Sequence, residues 1–218
     1  GESRFRHPEI REWLSFTPEH VAAHSIALVV GVACRQEFLD RETRLAPFLR
    51  HCAGVHPDLA AKLTALADRT AAARISLVHG DVSPKNILHG PDGPVLLDAE
   101  CAWYGDPAFD LAFCSAHLLL KSVWKPPHAE AFLASLTALN GAYLAGVDWE
   151  PAPGLDARAA ELTAAILLAR VDGKSPADYL RTPEDRGFVR ETARALISDG
   201  PATMAGLASF WTGRLQGR

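Results

Sequence analysis

Positive charge, paired cysteines and long apolar runs are what this 218-residue chain has little of. Lys and Arg number 22 against 26 Asp and Glu, for a formal net charge of −4. Such a balance leaves no electrostatic footprint for nucleic acid or an anionic membrane, and neither is expected as a partner. The longest apolar runs, such as "IALVVGVAC" from Ile26 to Cys34, fall well short of the ~20 residues needed to cross a bilayer. The opening "GESRFRHPEIREW" is charged and lacks an apolar core, so no export signal is read and a cytoplasmic location is the expectation. Cys34, Cys52, Cys101 and Cys114 form no CxxC pair and no metal-ligand rhythm. Four reduced, mostly buried thiols are expected instead.

What remains is the composition of a globular chain, 48% hydrophobic and 22% charged, which is enough for a real core. Most of it carries helical patterning. Thr17-Pro18-Glu19 reads as an N-cap with Pro at the first helical position, leading into "HVAAHSIALVVGVACRQ". A second helix is expected over part of "RETRLAPFLRHCA", kinked or divided at Pro47. Leu59, Leu63 and Leu66 fall at helical spacing in "DLAAKLTALADRTAAA". The pattern then changes. "ISLVH", "NILHG" and "PVLLD" read as short strands, the last two joined into a hairpin by "GPDG". Beyond them the chain is helical again in five segments, with "VDWEPAPG" as the clearest internal loop. The expected fold is mostly α with a small β-hairpin insertion, one domain over residues 1–218 with the unusual chemistry in 75–100.

That chemistry lies in "LVHGDVSPKNILHGPDGPVLLDAE". Asp81 follows a strand and a glycine, so its carboxylate can project from an unobstructed loop. Asn86 precedes the hairpin and Asp98 ends it. A hard cation such as Mg²⁺ takes a few protein oxygens together with phosphate oxygens and water, and Asn86 and Asp98 can supply them. Asp81 is then free to orient a hydroxyl and accept its proton. This is the catalytic half of a phosphoryl-transfer site. The protein-kinase pattern H-R-D-x-x-x-x-N with a later metal-binding Asp has the same spacing, with Gly80 here in place of Arg.

"HGDxxxxN" followed by "DxE" and "GDPAFDLA" resembles the aminoglycoside phosphotransferase and choline kinase-like family, small-molecule kinases with a protein-kinase-like fold. The likeness is best from Leu77 to about Leu120, and the flanking helices suit the C-terminal lobe of that fold. The resemblance implies that Asp81 is the catalytic base or hydroxyl-orienting residue. It implies that Asn86 and Asp98 bind Mg²⁺ with ATP or GTP as donor, and that Glu100 assists a second metal or a substrate. It makes His79 a scaffold residue, Asp106 a helix cap and Asp110 a brace beneath the catalytic loop. Lys85 either neutralises charge on the transferred phosphate or is a solvated loop lysine.

The resemblance also implies an acceptor pocket built from the helices after Asp98, for a small molecule bearing a hydroxyl. The aromatic and acidic candidates are Trp103, Tyr104, Trp124, Asp148, Trp149 and Glu150, and such a mixture can hold an amine or a sugar, or simply pack. "ARVDGKSPADYL" either faces the cleft or is an ordinary turn. An N-terminal nucleotide lobe is not expected within this chain. No Gly-rich loop precedes Asp81, and the first lysine is Lys62, on a helix. A kinase C-terminal lobe with little turnover of its own is therefore expected, its N-lobe supplied elsewhere. The competing readings are a catalytically silent kinase-like binding module and a metallophosphoesterase. The latter needs His and Asp ligands on many strand ends, and His89, His117 and His128 follow no such pattern.

Overall fold

A computed structural model describes residues 49–90 and 93–218. The helix expected from Thr17, the kink at Pro47 and the middle of the "GPDG" turn lie outside those residues. In chain order the described elements are α1 (His51–Val55), α2 (Ala60–Ala72), β1 (Ser76–Val78), β2 (Ile87–Gly90), β3 (Gly93–Leu96), β4 (Trp103–Gly105), α3 (Ala108–Trp124), α4 (Ala129–Ala145), α5 (Ala152–Asp172), α6 (Pro183–Asp199) and α7 (Met204–Gln216). The fold is mostly α with small antiparallel strand pairs, as the sequence leads one to expect.

Helices α3 and α5 form the centre. Both are apolar around most of their circumference, and such helices are stable only when covered on several sides. α3 lies against α4 and α5, and α5 against α6. The core runs through Leu111, Phe113, Leu119, Leu120, Leu162 and Ile166, each essentially without solvent exposure. Fully burying one such side chain contributes about 1.5–3 kcal/mol. α2 adds Leu63 and Leu66 from the stripe visible in the sequence. Cys52 and Cys114 are buried, their thiols pushed up to about 12 by desolvation, and no described cysteine forms a disulfide.

Two boundaries differ from the sequence reading. α5 begins at Ala152, inside the stretch expected to be loop, because Pro153 sits in the first turn, where its missing N–H costs nothing. Elsewhere the caps follow side-chain chemistry: Thr182 accepts the Asp185 N–H before α6, and Thr203 accepts the Gly206 N–H before α7. The second difference is β4, which the sequence reading did not include. It pairs antiparallel with β1, Ser76 opposite Gly105 and Val78 opposite Trp103. The expected hairpin pairs Ile87 with Leu96 and Leu88 with Val95.

One buried polar contact ties the last helix to the core. The Trp211 indole N–H donates to Ser122 Oγ at 3.1 Å, and that hydroxyl donates to the Leu119 carbonyl at 2.6 Å. Ser122→Ala leaves the indole N–H buried without an acceptor, a loss of about 1–3 kcal/mol. The expected result is a lower urea midpoint with an unchanged denaturant slope.

Candidate active site

The site begins where β1 ends. Gly80 has φ +83°, and a Cβ there would lie 2.6 Å from both the Cys101 carbonyl oxygen and Trp103 Cζ3. β4 runs directly against this turn, so only glycine fits between the strand and Asp81. The buried N–H groups of His79 and Gly80, which no strand partner takes, donate to the two oxygens of the Asp110 carboxylate, at 2.7 and 2.8 Å. Asp110 lies in the first turn of α3. Desolvation raises its carboxyl pKa from 3.8 to about 6 against those two hydrogen bonds.

His79 joins the loop to the hairpin. Its Nδ1 accepts the Asp81 N–H at 3.2 Å, which leaves Nε2 as the protonated nitrogen facing the Leu97 carbonyl at 3.0 Å. The Leu97 N–H in turn donates to the Asn86 carbonyl at 2.8 Å. Both backbone polar groups of Leu97 are thus bound to the loop of residues 79–86, and Asp98 is the next residue. Asp98 has φ 64° and ψ 51°, the single left-handed non-glycine among the described residues. Aspartate tolerates that region better than most side chains. Its carboxylate is exposed and meets no hydrogen-bond or ion-pair partner among the described residues. Glu100 is likewise exposed, in the 3₁₀ turn that Asp98 opens.

Asp81 and Asn86 are buried and in direct contact. The Asn86 amide donates to the Asp81 carbonyl and to Asp81 Oδ2, both at 3.0 Å. With its two hydrogens committed, Asn86 keeps its side-chain oxygen as a ligand atom. Lys85 Nζ lies 3.4 Å from Asp81 Oδ2, and the lysine side chain is largely exposed. Ser83 Oγ, two residues after Asp81, is buried with no hydrogen-bond partner among the described residues.

The remaining sequence-chosen residues divide. Asp106 accepts the Ala108 N–H at the start of α3 and binds Arg158. The same guanidinium binds Glu150 at 2.8 Å, so the Glu150 carboxylate is committed to an internal ion pair. Trp103 is buried on β4, edge-on to Phe109 at 5.0 Å. The Tyr104 ring is exposed while its hydroxyl donates to the Ile75 carbonyl at 3.1 Å. Asp148 and Trp149 are exposed, and Trp124 stands beside Tyr179 with ring centroids 5.2 Å apart. Arg158 and, within the "ARVDGKSPADYL" stretch, Tyr179 take partners 52 residues away at Asp106 and 62 away at His117, beyond any local pattern.

A model of the phosphotransferase enzyme family matches residues 19–155, more than half of the chain. The chain belongs to that family. Among curated proteins, a "Probable ketoamine kinase in tonB 3'region" of Klebsiella pneumoniae is 48% identical over 42 residues, which is 19% of this chain. The match spans 33% of that relative's length. No described helix is long and apolar enough to cross a membrane.

Asp110→Ala removes the acceptor from two buried N–H groups, at about 1–3 kcal/mol for each orphaned donor. The pH dependence identifies the group. A carboxyl with its pKa raised from 3.8 to about 6 on folding contributes stability that is fully present below pH 3.8 and lost as pH rises through about 6. Urea unfolding between those values should show that decline in the parent chain and not in the variant.

Proposed function

We propose that the chain forms the catalytic and acceptor-binding lobe of a small-molecule kinase, which moves the γ-phosphoryl group of ATP or GTP onto a hydroxyl. One observation carries the reading. Asp81 and Asn86 are locked together by hydrogen bonds, while the unpaired Asp98 carboxylate follows Leu97, whose backbone is bound to the same loop. A buried, oriented carboxylate beside two hard oxygen donors is the arrangement phosphoryl transfer uses.

In this reading the Asp81 carboxylate holds the acceptor hydroxyl in line and takes its proton as the oxygen bonds to phosphorus. The bond to the bridging oxygen breaks and the nucleoside diphosphate leaves. The donor set suits Mg²⁺, an amide oxygen and a carboxylate oxygen with no all-protein cage among the described residues. Asn86 and Asp98 would hold it, and Glu100 is available beside them. Bound there, Mg²⁺ would neutralise the donor's phosphate charge. Lys85, exposed and tethered loosely to Asp81, can reach the transferred phosphate. The nucleotide base would lie over the hairpin face where Leu88, Val95 and Leu97 stand 47, 51 and 40% exposed. An apolar face of that kind is normally covered by a ligand or another protein wall, and a nucleotide lobe would supply that wall. The relative's printed name makes a ketoamine the first acceptor to try.

Two substitutions test the reading. Asp98→Ala should abolish Mg²⁺-dependent binding of ATP and GTP in calorimetry while the fold is retained. Asp81→Asn should leave that binding intact and lower phosphate transfer by about 10²–10⁴-fold, measured with the nucleotide lobe present. Nucleotide binding that is equal in the Asp98 variant and the parent would overturn the metal assignment. Binding without any transfer would favour the silent-module reading.

A further inference from the structure

We infer that the acceptor is anionic, and that a carboxylate or phosphate group remote from its reacting hydroxyl is held by Lys121 and Lys125 beside Trp124 and Tyr179. This rests on the phosphotransferase reading and narrows it to one acceptor class.

The geometry starts from α3. At 100° per residue, Asp110, His117 and Lys121 fall on one face of that helix. Asp110 grips the backbone at Gly80, next to Asp81, so the face that positions the catalytic loop also carries Lys121 farther along. Eleven residues separate Asp110 and Lys121, an axial distance of about 16 Å at 1.5 Å per residue. Helical side chains lean toward the N-terminus, which shortens the gap to the loop to roughly 10 Å or more. The turn bearing Lys85 rests on α3, and the Lys85 charge acts on His117, which lies between Asp110 and Lys121 on that face.

The segment "GKSPADY", which follows α5, covers the far end of this face. The Arg170 guanidinium holds it at the Ser175 carbonyl, 2.6 Å away. Tyr179 then meets His117 Nδ1 through its hydroxyl at 3.1 Å and Trp124 through its ring. Lys121 Nζ sits between the two aromatics, 5.2 Å from each ring centroid, and Lys125 Nζ lies 4.3 Å from the Trp124 ring. Neither ammonium pairs with a carboxylate among the described residues, although Asp178 is in the same segment. Desolvation and then the Lys125 charge lower the Lys121 pKa. His117 is held neutral, its pKa lowered to about 3 by burial and then by the charges of Arg170, Lys121 and Lys85.

The cluster is therefore a positive, partly desolvated patch on a chain of net charge −4. Aromatic faces attract an ammonium only modestly and leave its hydrogen-bond donors unfilled. An anion would supply both the charge and the acceptors. A polycationic acceptor would meet like charges here and be rejected. Glu150, the acid that might have received a cation, is already bound to Arg158.

The test uses the whole chain and three matched probes: 6-(glucosyloxy)hexanoate, its primary amide, and the glucoside of a six-carbon chain ending in a phosphate monoester. Calorimetry should find at least one anionic probe bound about tenfold or more tightly than the amide, as a charged hydrogen bond implies. Which anion is preferred separates carboxylate from phosphate. The double variant Lys121→Gln, Lys125→Gln should remove the preference, and Lys121→Arg, Lys125→Arg should retain it with the same fold. Equal binding of acid and amide, binding of no probe, or a preference that survives the Gln variant overturns the inference. Transfer from ATP to the amide, assayed separately with the nucleotide lobe present, reports on the phosphotransferase reading alone. Transfer to the amide without any anion preference would leave the kinase reading standing and this one lost.

Discussion

The Asp110 carboxylate is the contact on which the candidate site depends. Two loop N–H groups, freed where β1 stops, would otherwise be buried without acceptors, and one side chain from the best-packed helix takes both. The cost is a buried charge, seen in the raised pKa of its carboxyl. The return is position. Asp81 stands one residue beyond the clamp, and the start of α3, which carries the clamp, is itself fixed by Asp106, Arg158 and Glu150.

The second constraint is how the hairpin is joined to that loop. A two-stranded hairpin alone is marginal in water, and this one exposes Leu88 and Val95. It is held through Leu97, whose N–H and carbonyl bind Asn86 and His79. Because His79 accepts from the Asp81 N–H, its tautomer is set, and it donates toward the hairpin. One imidazole thus fixes the relation between the Asp81 loop and the strand end carrying Asp98. Gly80 is the third member of this arrangement. β4 passes so close that an arginine at that position, as in the protein-kinase pattern, would collide with backbone.

Charge is divided across the site in a way that composition does not reveal. The carboxylates of Asp98 and Glu100, without an ion-pair partner among the described residues, stand beside the hairpin, where a divalent cation would offset them. The ammonium groups of Lys121 and Lys125, which meet aromatic rings but no carboxylate among the described residues, stand at the far end of α3. Asp81 and Lys85 form a third, mixed pair, 3.4 Å apart. An acceptor spanning from Asp81 toward Lys121 would place negative charge away from the phosphates of the donor, which lowers repulsion between the two substrates.

The sequence alone determined the elements whose signals are local. The five-residue step from Asp81 to Asn86, the hairpin around its Gly-Pro-Asp-Gly turn and the helical periods of α2 through α7 are all short-range patterns, read without a partner. Tertiary structure decided whatever depends on residues distant in the chain. β4 exists because Ser76 meets Gly105, and a three-residue aromatic strand has no period of its own to announce it. Trp103 is core and Trp124 is surface, although both are tryptophans after the same hairpin. Glu150 is held in an internal ion pair by an Arg158 that also binds Asp106, 52 residues away. The gathering of Lys121, Trp124 and Tyr179 was equally invisible. A sequence records which side chains are available, whereas solvent exclusion between packed helices selects which of them meet.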